Sequence, residues 1–249
     1  MAKQSGLADA LFFNGYDLSN DIQSLSVGMP SQLLDVTAID KSAIERIYGL
    51  RDGAIPFTAY MNDATGRAHP VLNVRPTTDV QVMYCRGSVL AAPAAAHVAK
   101  QVGYNPARGA DGSLLFSVET LQNGYPTEWG KQLTAGSDAI TGAADGTSVD
   151  FGTGSTAFGL AAYLQVMAFT GTSVTFALQE SSDDAVGDPF AAVTGGGFTA
   201  VAAANVTQRI ETSLTQTVER YLRWSATGTF TACTFVLMVI RYGGANREM

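Results

Sequence analysis

Asp111–Gly136 reads DGSLLFSVETLQNGYPTEWGKQLTAG, and its opening turn and alternating run decide the fold class. Asp111-Gly112 is strong turn chemistry. After it, Leu114, Phe116 and Val118 fall on one face while Ser113, Ser117 and Glu119 fall on the other, the period of two of a half-buried strand. Beyond Gly136 the composition changes to AGSDAITGAADGTS, rich in Gly, Ser, Ala and Asp. The quoted stretch therefore reads as the closing strand of a first domain, residues 1–136, followed by a linker over 137–147.

Upstream, Leu11 to Leu25 reads as short strands joined by a tight turn at Asn14-Gly15. Ser26 to Leu34 shows no regular pattern, and Gly28 and Pro30 mark it as a loop. A short helix is expected from Asp40 or Ser42 to just before Gly53: Ser42 followed by Glu45 fits a capping box, and Ile44, Ile47 and Leu50 make one apolar edge. The run AIPFTAYM then alternates as a strand, with Pro56 suggesting an edge or a bulge. Asn62 to Pro70 reads as a polar loop and Asp79 to Cys85 as another strand. In AAPAAAHVAKQVGYNP the alanines favour a short helix from about Pro93, with a covering strand or loop as the alternative.

Downstream, residues 148–249 read as a second β domain. Short strands are expected at Phe158–Phe169, Ser173–Gln179, Phe198–Val201, Gln208–Thr212, Tyr221–Ser225 and Thr229–Arg241, separated by Gly, Ser and Asp turns, which argues for an antiparallel sandwich. The run from Phe235 to Ile240 is apolar on both faces. Such a strand lies between two covering layers or turns one face to another subunit. The predicted class is thus mainly β: a sandwich or barrel with one flanking short helix, then an antiparallel β-sandwich.

The 249 residues suffice for a sizeable core without disulfides or metals. Charged residues make up only 15% of the chain, against about 25% in ordinary soluble proteins, so the surface is either covered by neighbours or unusually bland. A formal charge of −7 and a pI near 4.7, without any basic cluster, argue against tight nucleic-acid binding. An acidic wall can still let DNA slide past, because like charge prevents sticking. Cys85 and Cys233 are far apart and read as buried free thiols. The N-terminal MAKQSGLADALFFNG has no apolar signal core, and no apolar run approaches the ~20 residues needed to cross a bilayer. Folding in the cytoplasm of the producing cell is the expectation, with no membrane partner.

No catalytic, cofactor or metal signature assembles. His69 and His97 have no neighbouring ligands at useful spacing, and no G-x-S-x-G elbow accompanies them. Gly195-Gly196-Gly197 lacks the Lys-Ser/Thr of a phosphate loop and reads as a hairpin turn. Ser181-Ser182-Asp183-Asp184 has oxygen donors suited to calcium but is also ordinary turn chemistry. Pairs such as Asp183 with Asp188, or Glu119 with Glu128, have the composition of a glycosidase couple but read as solvated charges. Trp129 and Trp224 are expected in a core or interface rather than on a sugar platform.

The order of these segments, above all VTAIDKSAIERIYGLRDG followed by IPFTAYMN and then GSLLFSVETLQNGYPTEWG, resembles the tail tube proteins of long-tailed bacteriophages over Leu7 to Gly136. The resemblance implies a non-enzymatic virion protein whose β-sandwich closes into rings of six that stack into a tube for the genome. DNA would pass without specific binding during ejection. Tape measure and tail-terminator proteins are the implied partners. By position, Ser26, Val27, Gly28, Met29, Pro30, Ser31, Gln32, Leu33 and Leu34 correspond to the family's long contact loop between rings. The second half is similar to the extra β-sandwich domains of virion proteins. A neck or capsid-decorating role, or a carbohydrate-binding sandwich, are the alternatives.

Overall fold

A computed structural model describes residues 5–152 and 154–244. In chain order the strands are β1 Ala10–Phe13, β2 Tyr16–Asp17, β3 Ile22–Leu25, β4 Ser31–Asp35, β5 Arg46–Arg51, β6 Phe57–Tyr60, β7 Val80–Cys85, β8 Pro93–Arg108, β9 Leu114–Gln122, β10 Glu128–Gln132, β11 Asp138–Ile140, β12 Ala144–Asp145, β13 Val149–Asp150, β14 Leu160–Ser181, β15 Ala191–Gly197, β16 Val206–Glu211 and β17 Tyr221–Arg241. Among the described residues the α-helix is α1, Ala68–Leu72. The mainly β class with antiparallel pairing is as the sequence predicts.

Packing divides the chain into two units. Of the described residues, one unit, the ribbon unit, comprises 5–20, Gln81–Ala96 and 128–244; the other, the hairpin unit, comprises Asp21–Val80 and His97–Thr127. This division does not follow the expected cut at residue 136. The segment expected to be a linker carries β11 and β12, both paired with β17.

In the ribbon unit, β14 and β17 pair along their whole lengths, from Leu160 opposite Arg241 to Ser181 opposite Tyr221. The sequence reads each as two short strands, because glycine and threonine interrupt the apolar pattern. The structure keeps each continuous and bends the pair instead, with register shifts near Val166, Thr170 and Gly171. Gly171 and Gly228 take positive φ angles of 154° and 134° at this bend. A Cβ on Gly171 would collide with the Phe230 backbone, and one on Gly228 with the Ser173 carbonyl oxygen. The bend brings the two halves of the ribbon face to face. Phe176 is opposite Ala226 and Phe235 opposite Val166 in the ladder, yet the Phe176 and Phe235 ring centroids lie 4.5 Å apart and Trp224 meets Phe235 edge-on at 5.1 Å.

Around this core β15 and β16 extend the sheet from β14, while β10 to β13 line up on β17. Phe235 to Ile240 are buried throughout, so β17 is the covered central strand its composition predicts. Trp224 is buried, as are the free thiols Cys85 and Cys233. Burial pushes the Cys233 thiol up to about 11 and raises Cys85 further, which leaves both unreactive at neutral pH. Gly195 to Gly197 lie at the end of β15 rather than in a hairpin turn.

The hairpin unit has the strand order β3-β6-β9-β8, all antiparallel. Phe57, Ala59, Phe116 and Val118 turn inward with Ile55, Leu72 and Ala99. The expected Val118 face of β9 is confirmed. Asp21 organises one corner, where its carboxylate accepts the Ala68 N–H at 3.1 Å, the Asn62 side-chain amide at 2.8 Å and Arg67 at 3.1 Å, starting α1 inside the segment read as a polar loop. The alanine-rich segment from Pro93 is strand β8, not helix. Its Ala94, Ala95, Ala96 and Ala99 are buried, so close packing overrides helix propensity.

The helix expected between Asp40 and Gly53 is absent, and β5 stands in its place, paired with β4 as a separate two-stranded sheet. Glu45 does not cap a helix. Its N–H bonds the Thr37 hydroxyl at 2.9 Å, and its carboxylate pairs with Lys41 at 3.5 Å across the loop joining the strands.

Candidate assembly interface

The β4–β5 hairpin has an unusual surface for so short an element. Leu33 stands opposite Tyr48 and Leu34 opposite Ile47, and since successive side chains alternate between faces, each face carries one apolar cross-strand pair. None of the four is covered: Leu33 and Tyr48 are 57% and 70% exposed, Leu34 and Ile47 47% and 52%. Met29, Val36, Ile39, Ile44 and Leu50 extend the exposed apolar surface. A two-stranded hairpin is marginal in water on its own, and apolar area left in solvent forgoes about 25 cal/mol per Å². An exposed apolar patch of this kind is a candidate association surface.

Its root is held firmly. Ser26 N–H bonds the Pro56 carbonyl at 3.1 Å, Gly28 and Ala54 exchange a pair of backbone hydrogen bonds at 2.9 Å, and Asp52 N–H reaches the Pro30 carbonyl at 2.9 Å. At the far end Val36 N–H bonds the Glu45 carbonyl, and the Asp35 carboxylate accepts the Thr37 N–H at 2.9 Å. Of the residues expected in an irregular contact loop, Ser26 to Pro30 form the paired root, whereas Ser31, Gln32, Leu33 and Leu34 belong to β4, so the loop reading is corrected there to a strand. Val27 lies between the paired root residues. The sequence reading missed the other half of the surface, Ile44, Ile47, Tyr48 and Leu50, by assigning it to a helix. Its signal was the pairing of two apolar runs across Asp35-Val36-Thr37, a turn-forming side chain at the right distance.

No protein-family model and no curated protein matches the chain. Among solved structures it aligns with the tail of an empty gene transfer agent particle refined with C6 symmetry, at 13% identity and a TM-score of 0.39, covering 49% of this chain and 96% of that one. It also aligns with the SPP1 Dit protein, described as a hub adsorption apparatus of phages infecting Gram-positive bacteria, at 12% identity and a TM-score of 0.32, over 94% of this chain and 99% of that one. A third alignment, with the phage p2 baseplate in its activated conformation, has 7% identity, a TM-score of 0.32 and the same coverage. Function is therefore argued from this chain's own surface.

The other polar groupings are closed structures rather than open sites. In the ribbon unit the buried Glu128 carboxylate accepts from Tyr242 at 2.6 Å and Tyr163 at 3.4 Å, and pairs with Arg209 at 3.6 Å. Burial and the nearby Glu128 charge raise both tyrosine hydroxyls well above their usual range. Asp183 turns its carboxylate onto the N–H groups of Val186, Gly187 and Asp188, at 3.1, 2.7 and 3.1 Å, so the Ser181–Asp184 segment is turn chemistry. His69 bonds Tyr104, and His97 is buried between two threonines. Trp129 is partly exposed and packs edge-on against Tyr84. Among the described residues no helix is long and apolar enough to cross a membrane.

Proposed function

We propose that the chain is a structural subunit of a bacteriophage tail, closing with five further copies into a ring whose rings stack into a tube for DNA. The observation that carries this reading is the β4–β5 hairpin, apolar on both faces and covered on neither. Stable interfaces bury about 1,200–2,000 Å² and deplete charge at their centres, and a hairpin presenting Leu33, Leu34, Ile47 and Tyr48 supplies such a centre.

Two further features support it. β3 ends the array β3-β6-β9-β8 and, among the described strands, pairs with β6 alone. A neighbouring copy can thus add a strand beside β3, and ring closure removes an edge that would otherwise seed aggregation. The number six, and tape measure and tail-terminator proteins as further partners, come from the family resemblance. The net charge of −7 suits a wall past which DNA slides without specific binding. The virion is the proposed location, with assembly in the host cytoplasm.

Electron microscopy of the purified protein tests this. Rings and stacked tubes are expected from the native chain, and dispersed, folded protein from the combined variant Leu33→Ser, Leu34→Ser, Ile47→Ser, Tyr48→Ser. A native chain that stays monomeric at high concentration overturns the proposal, and rings that never stack favour a baseplate hub over a tube.

A further inference from the structure

His97 lies on β8 inside the hairpin unit, buried, with both ring nitrogens committed to hydroxyls: Nδ1 to Thr127 Oγ1 at 3.0 Å and Nε2 to Thr120 Oγ1 at 3.2 Å. Thr120 donates its one hydroxyl proton to the Ile55 carbonyl at 2.9 Å. It must therefore accept from His97, which places the imidazole proton on Nε2 and leaves Nδ1 an acceptor, facing a Thr127 hydroxyl whose one proton can turn to it or to Gln122 Oε1 at 3.4 Å. The relay continues outward. Gln122 Oε1 accepts the Thr127 N–H at 2.9 Å, and Gln122 Nε2 donates to the Arg51 carbonyl at 2.6 Å.

Both ends of this relay grip one segment, Arg51 to Ile55, the root through which β5 returns to β6. Gly53 sits so close to Thr127 Oγ1 and Gln122 Oε1 that no side chain could stand there. Both groups bonded to the ring are neutral hydroxyls. The charged residues of the surrounding elements, Glu119 on β9 and Arg51 and Asp52 before Gly53, are exposed, while Glu128, next after Thr127, accepts from Tyr242. Lys100, further along β8, pairs with Asp79 at 2.7 Å.

We propose that His97 is an acid-sensitive latch on the hairpin root: a proton on Nδ1 commits the Thr127 hydroxyl to accept there, and the buried cation, lacking a counter-charge, opens the Arg51–Ile55 segment and frees the β4–β5 hairpin from its fixed aim. Desolvation holds the ring neutral down to about pH 4, so the latch is closed at neutral pH and opens only in acid. As the hairpin is the proposed assembly element, its regulatory meaning rests on the tail reading. The latch itself does not.

Hydrogen exchange of the full chain, corrected for the intrinsic pH dependence of the chemistry, separates the two, because it reads the hairpin whether or not the protein assembles. Between pH 6.5 and 4 the amides of β4 and β5 should lose about tenfold in protection, a local opening with β6 and β9 still protected. In His97→Gln, which can donate and accept but not charge, the hairpin should keep its protection over that range. An unchanged pH course of the hairpin amides in His97→Gln overturns the latch. Should that variant fail to fold, Gln122→Leu serves: looser hairpin amides at pH 7 with β6 and β9 intact support the latch, and an unchanged hairpin refutes it.

Discussion

Two antiparallel ribbons in this chain have similar apolar character and opposite fates. β14 with β17 is long, bends at Gly171 and Gly228, and folds its own two halves together so that Phe176, Trp224 and Phe235 are covered from within. β4 with β5 is short, does not bend back, and leaves Leu33, Leu34, Ile47 and Tyr48 in solvent. The difference shows that β pattern and apolar content do not by themselves say whether a ribbon belongs to a core or to a contact. Length and a permissive bend decide whether a ribbon can cover itself.

The comparison can be broken first at the centre of the long ribbon. Phe235→Ala removes the ring on which both Phe176 and Trp224 pack and should cost about 3–5 kcal/mol in urea unfolding; a loss below ~1 kcal/mol would mean that the folded-over core does not form. Gly171→Val attacks the bend instead. It adds a Cβ against the Phe230 backbone at a positive φ and should cost on the order of 3 kcal/mol, with a drop in melting temperature as the readout.

Acid sharpens the contrast from the hairpin side. The unfolded chain protonates His97 as pH falls through 6.5, whereas burial holds the folded value near 4, so the unfolded state binds the extra proton in that window. The stability present above pH 6.5 is lost progressively as pH falls towards 4, by about 3 kcal/mol. Denaturant titrations at stepped pH should show this slope, and His97→Gln should remove it.

The smallest effect on stability falls on the exposed ribbon. Converting Leu33, Leu34, Ile47 and Tyr48 to Ser should leave the unfolding free energy within about 0.5 kcal/mol while abolishing self-association in sedimentation. Subtilisin should also cut residues 36–45 before 137–147, because β11 and β12 are pinned to β17; earlier cleavage in 137–147 would restore the linker reading.

What was legible in the sequence follows the same division. The two-faced burial of Phe235–Ile240 and the alternation of Phe116 and Val118 were readable because one side of each strand, or both, meets a core. The hairpin was misread as a helix for the converse reason. With apolar residues on both faces the period of two vanishes, a register shift between Ser31 and Leu33 blurs it further, and Ile44, Ile47 and Leu50 are left at a three-residue spacing that imitates a helix edge. Gly171 looked like a break because glycine usually ends strands. Here it lets one continue around a corner, which only the long-range ladder with β17 makes possible.

That ladder also sets an order of events during synthesis. β17 is the partner of β10, β11, β12, β13 and β14, yet of the described strands it is the last to be translated. Its contacts span large sequence separations, the kind that form slowly. The ribbon unit can therefore close its sheet only after Tyr221–Arg241 has emerged, and a chain interrupted before Tyr221 would leave five strands without this partner, exposed to the chaperones and proteases of the producing cell.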